Sequence, residues 1–431
     1  MNPIENRPAK LPTPLRVVVI GAGIVGAACA IELLRDGHHV TLLDPGEPGG
    51  TQAASYGNAA WLSPASVVPM SMPGLWKKLP KYLFDENSPL TIRWSALPSL
   101  LPWLTRFVWA GASVARVEAT ARALSALLHD APSRHRALAQ EAGVPELIVS
   151  RGLLYAYPDR AAFEAEALAW RLRRDNAVRW KELEAPAIRE LVPALDHRYQ
   201  FAILVEQGAN CVDPGAYVAA LVRHAQSQGA VLQRATATGF ALQGGRLRAV
   251  LTDRGELACE RAVIAAGIHS KLLARSVGDK VCMESERGYH IVLENPPVEL
   301  ALPVMPADAK TGNTSTLGGL RIAGQVELTR LQAEPDWRRA DTLLRHAAAT
   351  YPALAASIGT GAVQRWMGHR PSTTDGRPVL GPASGCQDVI HAFGHGHVGL
   401  ASGPVSGRLV ADLISGRPTV VDPAPYSVTR F

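Results

Sequence analysis

A β-branched run, Arg16-Val17-Val18-Val19-Ile20, leads straight into Gly21-Ala22-Gly23-Ile24-Val25-Gly26. A helical pattern follows from about Ile24 to Arg35, with Gly37 as its C-cap. A second strand, about His39 to Leu43, ends at Asp44. This order constrains the fold more than any other feature, because it opens a parallel βαβ unit whose sheet must be covered on both faces. Gly21 makes the tight turn, Gly23 leaves room for a pyrophosphate against the backbone, and Gly26 lets helix and strand pack closely. Ala22, Ile24 and Val25 complete the loop, where unpaired N–H groups and the positive end of the helix dipole suit a phosphate. Asp44 is placed to accept hydrogen bonds from the adenosine ribose, and an acid there disfavours a 2′-phosphate. The motif calls for a dinucleotide and leaves NAD and FAD open.

The next segment argues for FAD. An enzyme using only NAD would continue with strand–helix units, whereas this chain enters a polar, small-residue stretch, Gly49 to Asn58. Such a stretch can follow an extended ligand, with Ser55, Gly57 and Asn58 as candidate contacts; an ordinary surface loop is the other reading. Further on, the pattern predicts a strand over 152–157, helices over 160–174 and 185–191, and a strand over 202–206. Asp213 and Pro214 open a helix to about Gln228. Strands over 231–240 and 247–252 are joined at Gly244-Gly245, a hairpin signal, and Ala237 in the first is a candidate cofactor contact. The strand from Arg261 ends in small residues, Ala266 and Gly267, that let backbone approach a ligand. Near the C-terminus a glycine-dense turn, Phe393 to Leu400, precedes a helix over 403–415. Gly394, Gly396, Val398, Gly399 and Leu400 join the cofactor candidates. His395 and His397 are candidates for contact with a flavin ring or the substrate. This His-x-His pair has no partnering carboxylate or cysteine motif, so no metal is expected.

These alternations imply an α/β fold: a Rossmann-type FAD-binding domain interwoven with an α+β, mixed-sheet substrate domain. The expected boundaries are 16–75, 205–275 and 365–420 for the first, and 76–204 and 276–364 for the second. With 47% hydrophobic and 19% charged residues the chain is globular. Its charge of +6 carries no basic stripe interleaved with aromatics, so nucleic acid is not an expected partner. The basic run Arg171 to Arg174 reads as a solvated helix face. Five scattered cysteines without a CxxC pair fit free thiols in a reducing compartment, and no secretory signal is visible, so a cytoplasmic location is expected. Leu97 to Val114 is interrupted by Pro98, Pro102 and Arg106 and is short for a membrane span. Five of the nine tryptophans nevertheless fall at positions 61, 76, 94, 103 and 109. A buried helix pair, a substrate lid, and peripheral membrane contact through 61–114 at the inner face of the plasma membrane are the three readings of this segment.

Several segments carry a family resemblance: Gly21 to Gly26, Tyr56-Gly57-Asn58-Ala59, Ser66 to Gly74, Glu286-Arg287-Gly288-Tyr289-His290, Gly319 to Gly324, Trp366-Met367-Gly368-His369-Arg370-Pro371-Ser372, and Gly394 to Gly399. In this order the chain resembles the FAD-dependent D-amino-acid oxidase superfamily. It is most similar to the D-amino-acid dehydrogenase branch, with its glyphosate-oxidoreductase or glycine-oxidase-like and D-hydroxyproline dehydrogenase members. The resemblance implies noncovalent FAD and oxidation of the α-amine of an amino acid, by hydride transfer from the α-carbon to flavin N5, giving an imine that hydrolyses. The electron acceptor is then oxygen, a quinone or a protein carrier. A substrate carboxylate calls for a bidentate arginine, and Arg287, Arg321 and Arg370 lie in the matching segments. Strand alternation puts one of Tyr289 and His290 on the substrate face. A nearby histidine can take the amine proton. Asp375 reads as a candidate turn residue. The alternatives are a glycine, sarcosine or glyphosate-type amine oxidase, a nicotinamide enzyme without flavin, and a non-catalytic FAD-binding subunit.

Overall fold

Two sheets of different character organise the chain. The computed structural model describes residues 14–78, 90–355 and 361–431. The first sheet has six strands, in the order Val231–Gln233, His39–Leu43, Arg16–Ile20, Arg261–Ile264, Val389–Phe393 and Val379–Pro382. All neighbours are parallel except the last pair. Val17 to Ile20 are buried to a residue, as a central parallel strand requires. Alternation sends Val17 and Val19 to one face, into a core with the helices Ile24–Arg35, Pro214–Ser227 and Gly399–Ser415. Val18 and Ile20 face the other core, under the hairpin of residues 237–252 and the helix Ser270–Ser276. The first and last long helices touch through glycine: a Cβ on Gly407 would lie 2.6 Å from the Ala28 carbonyl carbon.

The second sheet has nine strands. Val363–Thr373, Met283–Leu293, Gly319–Leu328, Gly312–Thr316, Val304–Pro306, Leu153–Tyr157, Phe201–Val205 and Lys181–Glu184 follow one another, and Leu90–Ile92 joins beside Gly319–Leu328. Its pairings are mixed, with parallel contacts only at 304–306 with 154–156 and at 326–328 with 90–92.

Three local expectations change. The strand expected over 231–240 splits: 231–233 extends the parallel sheet, and 237–243 turns away to pair with 246–252. Gly244 and Gly245 make that turn with φ of 57° and 75°, a left-handed pair that glycine adopts freely. The helix expected over 160–174 is two, Arg160–Glu164 and Ala167–Asp175. The last helix starts at Gly399 rather than Gly403.

The segment boundaries also read differently. The Val363–Thr373 strand, expected with the nucleotide unit, pairs along its whole length with Met283–Leu293 in the nine-stranded sheet. The helices Val114–Leu128 and Ala131–Glu141, expected with the substrate unit, bury Val117, Leu124, Leu127 and Leu138 in the core under the first helix. Their apolar stripes find that helical layer, not the second sheet.

Candidate active site

Between the two sheets lies a cavity of about 1370 Å³. The glycine loop opens onto it, and its geometry tests whether a dinucleotide fits. Gly21 has φ of 105°, and a Cβ there would sit 2.4 Å from the Ala265 carbonyl oxygen. A Cβ on Gly26 would sit 1.8 Å from the Gly21 oxygen. Gly23 differs: its only near neighbour would be the Ser55 hydroxyl, at 3.5 Å. The loop is tight where chain packs on chain and open where a phosphate would approach. Gly21, Gly23, Ile24 and Val25 line the cavity; Ala22 and Gly26 lie behind them.

Asp44 also lines it. Its Oδ2 accepts from the Ala22 N–H at 2.8 Å, and its Oδ1 from the Gly46 N–H at 2.8 Å. Each oxygen keeps acceptor capacity for a ribose hydroxyl. Asp44 therefore steadies the glycine loop as well as facing the ligand space. Ser55 accepts from the Ile24 N–H at 3.1 Å, at the helix terminus where the pyrophosphate is expected. Gly57, Asn58, Ala237, Ala266 and Gly267 line the same space. So do Gly394, Gly396, Val398, Gly399 and Leu400. Gly394 and Gly396 have positive φ, of 82° and 53°, and the Gly396 N–H donates to the Pro371 carbonyl at 2.9 Å. That bond fastens the histidine-bearing turn to the end of the Val363–Thr373 strand. The two helix N-termini, the acid beside the first, and the open Gly23 together fit FAD.

His395 and His397 both line the cavity. His395 shares a hydrogen bond with the Ser406 hydroxyl at 3.0 Å. Burial lowers His395 to about 3. Burial, then the nearby Arg370, lowers His397 to about 4. Both are neutral at neutral pH.

The strand pairing decides which other candidates face the cavity. Glu286 stands opposite Arg370, Gly288 opposite Gly368, and His290 opposite Trp366, so these six share one face of the sheet. Glycine makes room for the large groups: a Cβ on Gly288 would lie 2.5 Å from the Arg370 Cζ, and one on Gly57 would lie 1.9 Å from the Trp366 ring. Arg370, Trp366 and Glu286 line the cavity, and Arg370 has no hydrogen-bond partner or ion pair among the described residues. Burial lowers the Arg370 pKa, while Glu286 acts the other way.

Several expected substrate contacts serve the scaffold instead. Arg287 and Tyr289 point to the opposite face. The Arg287 guanidinium, fully buried, donates to the carbonyls of Arg330, Leu331, Ala333 and Glu334 and faces Glu327. The Tyr289 hydroxyl donates to Glu327 Oε2 at 2.7 Å and accepts from the Asp336 N–H at 2.9 Å. Arg321 donates to the carbonyls of Tyr56 at 3.0 Å and Asn58 at 2.9 Å, tying the polar loop to the second sheet. His290 is on the cavity-facing side but covered. It stacks on Trp366 with centroids 4.9 Å apart, and its Nδ1–H donates to the Gly57 carbonyl at 3.2 Å. Of the three arginines, Arg370 alone is left facing the cavity. Asp375 caps a turn and pairs with Arg377 and Arg430.

Glu286 and Trp366 stand in the quoted segments without an assigned role, although the alternation that positions His290 positions them too. Trp61, Tyr155 and Arg173 also line the cavity, and no local pattern marks them. No cysteine is among the described lining residues. Among the described residues no group of three or more His, Cys, Asp or Glu could hold a metal ion.

The chain is similar to known proteins along nearly its whole length. The chain is 52% identical to the "D-amino-acid oxidase" of Bradyrhizobium diazoefficiens over 421 residues, covering 98% of this chain and 100% of the relative. It is 30% identical to "D-amino acid dehydrogenase 2" of Ralstonia nicotianae, covering 96% and 100%. In fold it is similar to glycine oxidase from Geobacillus kaustophilus, with a TM-score of 0.73 at 23% identity over 97% of this chain and 99% of that one. Residues 16–413 match the family described as "FAD dependent oxidoreductase", and the chain belongs to that family.

Proposed function

We propose that the chain oxidises the α-amine of a D-amino acid, with Arg370 holding the substrate carboxylate. The observation that carries this reading is the unpartnered Arg370 guanidinium on the cavity face, beside the turn of His395 and His397. A half-buried guanidinium with no ion pair among the described residues has its donors free for a ligand's carboxylate. The 52% identity to a D-amino-acid oxidase supports the substrate class. FAD, when bound, supplies the hydride acceptor for the α-carbon. Gly21, Gly23, Ile24 and Asp44 would hold its pyrophosphate and ribose. The Gly394–Leu400 turn would lie against its ring system. Arg370 orients the carboxylate by a bidentate contact, and Trp366 walls the site. The imine product hydrolyses on release. The test is an anaerobic spectrum of purified protein with glycine, sarcosine, both alanines, both prolines, cis-4-hydroxy-D-proline and glyphosate. Bleaching of a flavin band by a D-amino acid is expected. Bleaching by glycine or glyphosate alone would move the substrate class, and a flavin band that no amine bleaches would defeat the reading.

For the electron acceptor we favour a membrane quinone over oxygen, with peripheral contact at the inner face of the plasma membrane. Trp76, Trp94, Leu101 and Trp109 are exposed at 61%, 54%, 55% and 62%. Lys77 lies over Trp76 and Arg116 over Trp109, as at an anionic lipid interface. Leu104 and Phe107, buried in the helix Leu97–Ala110 that carries Leu101 and Trp109, line the cavity. No helix of the described residues is long and apolar enough to cross a membrane. Co-sedimentation with anionic liposomes, lost in a Trp76→Ser/Trp94→Ser/Trp109→Ser variant, is the expected result. No liposome binding and no reoxidation by short-chain quinones would refute it.

A further inference from the structure

Glu286 is an acid where the sheet face offers few reasons to keep one. It is 4% exposed, lines the cavity, and stands directly across from Arg370 on the neighbouring strand. Yet the two do not form an ion pair. Among the described residues the hydrogen-bond partner of the Glu286 carboxylate is the Ser372 hydroxyl, which donates to Oε2 at 2.6 Å. Among the described residues Oε1 has no hydrogen-bond partner. The Arg370 guanidinium lies over Gly288 instead. Two opposite charges thus stand across adjacent strands without a direct ion pair among the described residues, and each keeps hydrogen-bonding capacity toward the cavity. Buried charges in that state are costly without a third party.

A small molecule that answers both is a zwitterion carrying anion and cation close together. An α-amino acid bears its carboxylate and ammonium on one carbon, and residues paired across two strands project to the same face of the sheet. We propose that Glu286 is the second charged anchor of the substrate, receiving the α-ammonium while Arg370 receives the α-carboxylate, and that it then takes the proton the nitrogen must lose. This rests on the amino-acid reading above. In that step an N–H bond of the ammonium breaks and an O–H bond forms on Glu286. The neutral amine then has the lone pair that supports loss of hydride from the α-carbon, and no electrons are exchanged with Glu286.

The surroundings suit a proton acceptor. Burial pushes the Glu286 carboxyl above the usual range, while Ser372 and Arg370 restrain it. Ser372 and Arg370 are the groups that act on its charge besides burial. Arg370 and Ser372 come from one neighbouring strand and the apolar Leu328 from the other. His397, held neutral by burial, and His269, from the turn packed against this strand, line the same cavity. Glu284, two residues back, is bonded to Lys271. The histidines, expected to take the amine proton, are a poorer choice because burial holds both neutral and weakly basic.

The experiment uses FAD-loaded enzyme and three variants, Glu286→Gln, Glu286→Asp and Ser372→Ala. Propionate binding is read from the perturbation of the flavin band, and kcat/KM for the best D-amino acid is read against pH. Glu286→Gln should bind propionate at least as tightly as the parent, because a like charge is gone. Its kcat/KM near neutral pH should fall about 100-fold, with the acid limb moving up toward the pKa of the free amine. Glu286→Asp should recover part of the rate. Ser372→Ala should move the acid limb upward, because the carboxylate loses a donor, and it reports even if Glu286→Gln does not take up FAD. An acid limb unchanged in Glu286→Gln or Ser372→Ala overturns the proposal. Loss of propionate binding together with turnover also overturns it, because Glu286 would then merely support Arg370. Parent enzyme that no amino acid reduces sinks the amino-acid reading itself, and this proposal with it.

Discussion

Arg370 and Arg321 carry the same guanidinium and meet opposite fates. Arg370 sits above glycine with its donors unspent, while Arg321 spends two donor contacts on the carbonyls of Tyr56 and Asn58. Arg370→Ala is therefore expected to lower kcat/KM by roughly 10²–10³-fold, the loss of a buried charge-assisted contact, with Tm nearly unchanged. Arg321→Met should do the reverse: cost about 2–4 kcal/mol in denaturant unfolding, since two buried carbonyls lose their donor, and loosen FAD through the released loop. Retention of Tm in Arg321→Met would contradict its scaffold role. The buried histidines set a pH dependence. His395 titrates at about 3 when folded against an ordinary 6.5. The unfolded chain thus binds more protons below pH 6.5, and stability falls as pH drops through that window, by roughly 1.4 kcal/mol per unit for each such group. His397, at about 4, acts in the same direction over a shorter range. His395→Asn should flatten the acid branch of a Tm-against-pH curve; an unchanged slope would count against a neutral buried His395.

At the scale of elements, the first turn separates packing from binding. A Cβ at Gly26 would collide with the Gly21 carbonyl at 1.8 Å, whereas one at Gly23 would meet the Ser55 hydroxyl at 3.5 Å. Gly23 has φ of −73°, which any residue adopts. Gly23→Ala should leave the apoprotein Tm close to the parent and weaken FAD binding by about tenfold or more, because the methyl occupies the phosphate approach. Gly26→Ala should lower the Tm of the apoprotein as well. Equilibrium FAD titration with thermal melts of both forms distinguishes them. The paired strands 283–293 and 363–373 show the same logic in β structure. A period of two sends Glu286, Arg370, His290 and Trp366 to the ligand face, and Arg287 and Tyr289 to the back, where they hold residues 330–336.

For the whole molecule, the cavity is walled by both sheets, so FAD binding and folding are linked. Removing FAD should lower Tm, and adding it back at 100 times Kd should restore about 2.7 kcal/mol. Tm independent of FAD concentration would contradict a site formed between the sheets. The sequence by itself determined the nucleotide half. Glycine spacing, β-branched runs, the Asp213 cap and the turn glycines are local signals, and local sterics read them directly. The ordered segments from Gly21 to Gly399 also carried the family. Tertiary structure alone decided the substrate side. Helices 114–141 have stripes that would fit either layer, and only packing sent them to the first. The strand expected over 231–240 broke because its first residues found a parallel edge beside His39–Leu43, a long-range contact with no local mark. Arg287, Arg321 and Arg370 look alike in sequence because a guanidinium can donate to a carbonyl or to a carboxylate. What separates them is which acceptors the assembled chain brings within reach.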